Sequence, residues 1–159
     1  MFTANILRGP LVAAALALPG LSGAAISPAL SETVRQLAQA QSQDLEAIFQ
    51  QVHANPELAF QLDETAALVA KKLKKMGYKV HTGIAQTGLA AVLKNGEGPV
   101  IMFRSDMDAL PVKEDSGLSY ASKKQVTLDD GSSQYVSHAC GHDAHTAWLL
   151  GIAKVMMET

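Results

Sequence analysis

Cys140 and three histidines crowd into eight residues, directly ahead of an apolar segment. Residues 138–145 read His-Ala-Cys-Gly-His-Asp-Ala-His, and Cys140 is the only cysteine in the sequence. Residues 146–157 are mostly apolar and predict a helix that enters a core. Thiolate and imidazole bind zinc-like metals well, and the N-terminal end of a helix favours the thiolate. A lone cysteine is more often a small buried apolar residue, but this density of donors predicts a metal site.

The composition indicates one globular domain. The chain has 159 residues, of which 48% are hydrophobic, and a formal net charge of −2. These values exclude a disordered chain, and the absence of a long basic run argues against a nucleic-acid surface. A single cysteine cannot form an internal disulfide, so cysteine usage gives no information about the cellular compartment.

Residues 1–25 have the layout of a secretory signal peptide. Arg8 precedes the unbroken apolar segment 11–18, and small residues follow up to Ala24 and Ala25. This order predicts cleavage near Ala24 or Ala25 and export to the periplasm or the medium. The apolar segment is far shorter than the roughly 20 residues that span a bilayer. An N-terminal anchor or a disordered arm is the alternative interpretation.

Two helices are predicted next. The first begins at Ser31 as its N-cap and ends near His53, because Asn55-Pro56 interrupts a helix. The second begins with Asp63 as its cap and ends at Gly77. Its buried side is predicted to contain Ala66, Val69, Ala70 and Leu73.

Strands are predicted to follow. Residues 78–82 and 89–93 have strand character, and the continuous apolar run 100–103 predicts a central strand buried on both faces. Helices followed by strands and another helix predict an α/β fold, in which a mixed sheet lies between helical layers. Residues 112–137 are polar and predict a hairpin or loop that forms the rim of a cleft.

Asp106 and Asp108 follow the predicted central strand. Ligands in open α/β sheets bind beyond the carboxyl ends of strands. In an extended segment these two carboxylates share a face, and Met107 points the opposite way. Asp-x-Asp is also common in solvated turns, but its place after a buried strand favours a role at the metal site.

Three separate motifs, in this order, resemble one family. They lie at residues 53–65, with His53-x-x-Pro56-Glu57-Leu58, Phe60, Glu64 and Thr65, at residues 104–111 and at residues 138–145. The segment from about Gln51 to Ala153 resembles the amidohydrolases related to hippurate hydrolase and to the plant indole-acetyl-amino-acid hydrolases. These enzymes belong to the wider aminoacylase and carboxypeptidase clan of two-metal peptidases.

The resemblance implies roles for individual residues. Cys140 and His142 match two metal ligands of the family, and Asp108 matches an aspartate that supports the metal centre from behind a ligand. Asp106 falls where relatives outside this subfamily carry a metal-binding histidine, so its role stays open. The roles of His138, Asp143 and His145 stay open as well.

The resemblance further implies a three-layer catalytic domain that residues 26–159 represent only in their N-terminal part. The family's later glutamates and histidines, and an inserted domain that usually mediates dimerisation, have no counterpart in these 159 residues. The expectation is a fragment of a larger enzyme, possessing an incomplete site and little activity of its own. The complete protein is expected to form a homodimer.

The implied reaction is hydrolysis of the amide bond of N-acyl amino acids by two divalent metal ions. Such ions activate water and polarise the amide carbonyl. Zinc and manganese suit the donors best, and cobalt is a further candidate. Two other functions remain open from the sequence: a hydrolase in which Cys140 is the nucleophile and a histidine its base, and a non-catalytic remnant that binds metal.

Overall fold

The computed structural model describes residues 26–159, and the predicted signal peptide lies outside them. The helices in this part are α1 (Pro28–Ala40), α2 (Ser42–Ala54), α3 (Asp63–Lys75) and α4 (His142–Glu158). The strands are β1 (Lys79–Ile84), β2 (Gly88–Val92), β3 (Gln125–Thr127) and β4 (Ser133–Tyr135). None of these helices has the length and apolarity that a membrane crossing requires.

The region predicted as one helix from Ser31 contains two helices, so that prediction was wrong. Ser27 is the N-cap of α1, where its hydroxyl accepts a hydrogen bond from Leu30 N at 3.1 Å, and Pro28 follows at the first helical position. Proline is pre-organised for this position, which explains the earlier start. Gln41 leaves the helical path between α1 and α2, and its amide donates to Gly151 O at 3.2 Å. The predicted end near His53 is confirmed, since α2 ends at Ala54.

Helix α3 has the predicted bounds but not the predicted cap. Asp63 is its first residue and Leu62 its N-cap, and neither side chain caps the helix. The buried carboxylate of Glu57 accepts hydrogen bonds from Glu64 N at 3.1 Å and Thr65 N at 2.7 Å. A carboxylate seven residues upstream therefore satisfies the free N–H groups of this helix. The predicted buried side is confirmed except at Ala66, which is half-buried, whereas Thr65 is buried.

The strands form two antiparallel hairpins, β1 with β2 and β3 with β4. The two predicted strand segments are confirmed, and the polar segment 112–137 contains the second hairpin, as predicted. The α/β class is confirmed, and a parallel bridge joins Leu58 to Ala109. The predicted central strand is wrong for the described residues: segment 100–103 is not a strand and all four side chains are exposed. A strand buried on both faces needs neighbours at both edges and on both faces, and no described residue pairs with this segment.

The core lies between α2, α3 and α4. Leu150 of α4 is fully buried, and it packs in one cluster with residues of all three helices: Ile48, Val52, Val69, Leu73, Ala147 and Ala153. Gly151 lets α4 approach α2 closely, because a Cβ atom there would lie 2.8 Å from Leu45 Cδ1. The opposite side of α4 carries the exposed Trp148. The core thus fixes α4, whose first turn contains the end of the third sequence motif, residues 142–145.

Candidate metal centre

Backbone hydrogen bonds bring the three sequence motifs together. Ala109 N donates to Glu57 O at 2.7 Å, which joins the second motif to the first. Leu110 and Ser137 exchange two backbone hydrogen bonds of 3.0 Å each, which places the second motif beside the start of the third. Segments far apart in the sequence therefore meet at the N-terminus of α4.

Asp108 contacts His142 directly. His142 Nδ1 lies 2.9 Å from Asp108 O and 3.0 Å from Asp108 Oδ1. Both oxygens are acceptors, so Nδ1 must carry the proton, and the lone pair of the neutral ring is then on Nε2. Metal-binding histidines commonly have their second nitrogen held in this way by a carboxylate or a carbonyl. Met107, between the two aspartates, packs against the core, as the alternation of side chains predicted.

Cys140 lies two residues before His142, on the turn that starts α4. Its side chain is an exposed free thiol. Gly141, the N-cap of the helix, has φ +76° and ψ 21°, a left-handed conformation that glycine adopts without strain. The turn therefore places the thiol at the positive end of α4, where a negative charge is favoured.

No group of three or more histidine, cysteine, aspartate or glutamate side chains within residues 26–159 is arranged to hold a metal ion. Asp106 forms an ion pair with Arg104. His145 is exposed and stacks on His142, with 5.5 Å between ring centroids. The chemistry of Cys140 and of the free Nε2 of His142 fits a zinc-like metal, and within residues 26–159 no third donor of these types joins them in a metal-binding group.

A partly buried ionic cluster adjoins the turn that contains Cys140 and His142, and the sequence did not predict this cluster. His53 Nδ1 lies 2.6 Å from Asp143 Oδ2, and His53 Nε2 lies 3.0 Å from Glu114 Oε1. His53 and Asp143 belong to the first and third motifs, and this was the sequence feature that could have marked them as functional residues. Glu114 lies in the polar segment that was expected to contain only solvated charges, and no sequence pattern distinguished it.

The electrostatics of this cluster favour a charged pair. Burial opposes the charged form of His53, but hydrogen bonds and charge interactions with Glu114 and Asp143 outweigh it, so the pKa of His53 lies above its ordinary 6.5. Burial also opposes the charged form of Glu114, and hydrogen bonds from Ser116, His53 and Ser122 N outweigh it. The pKa of Glu114 therefore lies below its ordinary 4.5.

His138 is buried, and neither of its ring nitrogens has a hydrogen-bond partner among the described residues. Burial is the main reason that the pKa of His138 lies below its ordinary value of 6.5. The ring is therefore neutral at pH 7. His138 is thus close to the turn in the chain, but no hydrogen bond within the described residues assigns it a role.

The polar segment 112–137 contributes to the wall of a cleft, in agreement with the predicted rim. The cleft has a volume of about 560 Å³, and its lining includes Asn55, Glu64, Tyr120 and Lys124. Asp108, Cys140 and His142 are not part of this lining. The cleft therefore lies beside the ionic cluster and not over the turn that contains Cys140 and His142.

Comparison with known proteins finds similar sequences and similar structures. The sequence pattern of "Peptidase family M20/M25/M40" matches residues 102–159, the part that contains Asp108, Cys140 and His142. Hippurate hydrolase of Campylobacter jejuni is 47% identical over 114 residues, which cover 71% of this chain and 27% of that protein.

Two solved structures share the fold. A Staphylococcus aureus protein described as an aminohydrolase superposes with a TM-score of 0.70 at 33% identity, over 80% of this chain and 31% of its own. The YXEP protein of Bacillus subtilis, described as a dinuclear metal-binding peptidase of the M20 family, gives a TM-score of 0.64 at 33% identity, over 76% of this chain and 32% of its own. The chain thus spans about a third or less of each of these relatives, and it is similar in sequence and in fold to members of peptidase family M20/M25/M40.

Proposed function

We propose that this chain provides part of a two-metal site that hydrolyses the amide bond of N-acyl amino acids. Cys140 Sγ and His142 Nε2 are the two metal ligands, and Asp108 orients His142. The observation that carries the proposal is the double contact of Asp108 with His142 Nδ1, at 2.9 and 3.0 Å. It fixes the tautomer and the ring orientation, and the nitrogen that a metal needs stays free.

The substrate class rests on the relatives. One of them is named hippurate hydrolase, and hippurate is an N-acyl amino acid. Divalent metal ions, when bound, would activate water and polarise the amide carbonyl. The chain's own contribution is to place a thiolate and an imidazole at the N-terminus of α4, with Asp108 preventing rotation of the imidazole ring. A thiolate–imidazole donor pair favours zinc, and manganese and cobalt remain candidates.

The described residues offer two suitable ligands, whereas a two-metal site requires more, held rigidly. We therefore propose that the 159-residue chain by itself hydrolyses amides far more slowly than an enzyme. The complete active protein is proposed to be an exported homodimer. Activity tests consequently need a complete site.

A chimera supplies that site. The segment of the Campylobacter hippurate hydrolase that matches this chain is replaced by the corresponding residues of this chain, and hydrolysis of hippurate is measured after loading with zinc, manganese or cobalt. The proposal predicts turnover that a chelator abolishes and that added metal restores. The Cys140→Ser chimera should lose both bound metal and activity, whereas the His81→Gln chimera, altered at an exposed strand residue, should keep both.

Two results would contradict the proposal. Turnover that survives the chelator would instead support Cys140 as a nucleophile, although no histidine hydrogen bond to Cys140 is present among the described residues. A folded chimera that binds metal but hydrolyses no N-acyl amino acid would support a metal-binding remnant. The 159-residue chain is assayed in parallel, and turnover of about 1 per second or more, within the usual enzyme range, would refute its proposed inactivity.

A further inference from the structure

We propose that His53 is a positioning residue for the metal-binding turn: clamped between Asp143 and Glu114, it holds the start of α4, and with it Cys140 and His142, in one geometry. The inference rests on the proposed metal centre. It assigns a function to the partly buried ionic cluster, which the proposed chemistry does not otherwise use.

The clamp consists of Glu114, His53 and Asp143, and the metal-binding turn is the segment from Cys140 to His142. Asp143 connects the two. Its side chain is only 3% exposed, and it follows His142 directly in the chain. Asp143 Oδ1 accepts a hydrogen bond from Ala144 N at 2.8 Å, and Oδ2 accepts one from His53 Nδ1 at 2.6 Å. A carboxylate with a donor on each oxygen cannot rotate freely, so its backbone, and the neighbouring His142, are fixed relative to His53.

Glu114 holds the other side of the ring. Its Oε1 accepts from His53 Nε2 at 3.0 Å, and its Oε2 accepts from Ser122 N at 2.6 Å. Glu114 is thus hydrogen-bonded to the backbone of its own segment at Ser122, as Asp143 is to the backbone of α4 at Ala144. The side chains of His53 and Glu114 are only 12% and 10% exposed, so water screens the pair little.

Aromatic packing prevents the ring of His53 from swinging away. Phe49 lies on the same helix, with 5.5 Å between the ring centroids, and Tyr120 meets the ring edge-on at 5.3 Å. His53 at the end of α2 therefore joins three parts of the fold: the core helix α2, the segment around Glu114 and the first turn of α4.

The geometry indicates positioning and not direct participation in the chemistry. Carboxylates only accept hydrogen bonds, so both ring nitrogens of His53 must donate. No lone pair remains for a metal ion or for a substrate proton. Any effect of His53 on the metal must therefore pass through Asp143 and the turn that follows Cys140.

Metal binding by the purified 159-residue chain tests this inference without relying on catalysis. Cobalt(II) bound to a thiolate gives a charge-transfer absorption band, which reports directly on Cys140. The wild type should show the band, and Cys140→Ser should lose it. His53→Gln should bind Co²⁺ roughly 10-fold more weakly, the low end for partners outside the ligand set, with an altered band. The exposed control His81→Gln should match the wild type.

A second variant distinguishes an effect that His53 transmits to the metal-binding turn from general damage to the fold. Glu114→Gln should weaken Co²⁺ binding less than His53→Gln, and the exposed Glu97→Gln is its matched control. Because Glu114 is inferred to act only through His53, the double variant should bind no more weakly than His53→Gln alone. Glu114→Gln also tests the clamp if His53→Gln does not fold.

The outcomes distinguish the two proposals. Wild-type absorption with unchanged affinity and spectrum in a folded His53→Gln, or in Glu114→Gln when His53→Gln does not fold, overturns the clamp and leaves the metal centre standing. Additive losses in the double variant also overturn it, because they show two independent effects. If the wild-type chain shows no thiolate–cobalt band, the same variants are compared in the chimera, whose site is complete. Absence of the band from the folded chimera as well overturns the metal centre and, with it, the clamp.

Discussion

Asp108 and His142, 34 positions apart in the sequence, are joined by a contact of 3.0 Å between Oδ1 and Nδ1. The backbone carbonyl of Asp108 contacts the same nitrogen at 2.9 Å. One residue thus presents two acceptors to one ring nitrogen. Because the carbonyl also holds this nitrogen, the orientation of His142 does not depend only on the carboxylate. Substitutions that remove the carboxylate in steps can measure its share.

Substitution at Asp108 should weaken metal binding in two steps. Asp108→Asn keeps an oxygen acceptor and should have the smaller effect. Asp108→Ala removes the side-chain acceptor and should lower metal affinity about 10-fold, as loss of an orienting partner does. Thermal unfolding should change little, because the side chain is 30% exposed. Titration calorimetry with zinc measures the affinities, and equal affinity of wild type and Asp108→Ala would refute the orienting role.

Replacement of Cys140 should remove most of the bound metal. A neutral hydroxyl replaces a thiolate in Cys140→Ser, and serine is a much poorer zinc ligand. The fold should persist, because the Cys140 side chain is exposed and outside the core. Elemental analysis after equilibrium dialysis gives the metal content, with circular dichroism as the check on folding. Unchanged metal content would exclude Cys140 as a ligand.

Glu57→Gln should destabilise the fold by about 1–2 kcal/mol. The substitution removes the negative charge that caps α3 through Glu64 N and Thr65 N, and loss of an N-terminal cap costs this order of free energy. Urea unfolding of wild type and variant measures the difference. Glu97→Gln, at an exposed position, is the control, and an equal effect of the two substitutions would contradict the capping role.

The His53–Glu114 pair should make stability depend on pH. Because the pKa of His53 is raised in the native state, its contribution is fully present below the ordinary value of 6.5 and is lost as pH rises through the native value. The pKa of Glu114 is lowered, so its contribution is present above 4.5 and is lost as pH falls through its native value. The pair should therefore stabilise most between about pH 4.5 and 6.5.

Melting temperatures across this range, compared between wild type and His53→Gln, isolate the effect of the pair. The comparison is needed because Asp143 and His138, which also interact with His53, are present in both proteins. The difference in melting temperature should shrink as pH rises above 6.5. A difference that stays constant with pH would show that His53 contributes packing and no charge.

Expression of the gene should give a protein that lacks about the first 25 residues. The reason is the apolar segment 11–18 followed by small residues up to Ala25. Mass spectrometry of the N-terminus, after separation of cytoplasmic and exported fractions, measures the cleavage site. Recovery of the protein with Met1 from the cytoplasm would refute the signal peptide.

Segment 138–145 was easier to interpret from the sequence than its surroundings. Its residue types and its place before α4 predicted a metal site, and the resemblance to the amidohydrolases implied the roles of Cys140, His142 and Asp108, which stay predictions. Glu114 could not be predicted, because its contact with His53 spans 61 positions and depends on how the segment 112–122 folds back. Local patterns carry no information about such a contact.

The predictions of the fold were likewise correct where local patterns decide the structure and wrong where distant contacts decide it. Hydrophobic spacing predicted most of the buried side of α3, and Asn55-Pro56 predicted the end of α2, because local preferences decide these features. Hydrophobic spacing failed for segment 100–103. An apolar run indicates that burial is favourable, but it does not indicate which other segments cover it. It also failed at Gln41, whose departure from the helix accompanies a hydrogen bond to Gly151, a residue 110 positions away.

Three side chains from separate parts of the chain hold the backbone of α4. Gln41 donates to Gly151 O, Tyr78 to Ala153 O and Asn95 to Met156 O. Because these contacts recognise carbonyl groups, substitutions at exposed positions such as Trp148 should be tolerated. Insertion of one residue between His145 and Gly151 would instead turn the anchored half of α4 by about 100° relative to His142. Natural variants of this helix should therefore differ in composition while its length from His142 to Gly151 stays constant.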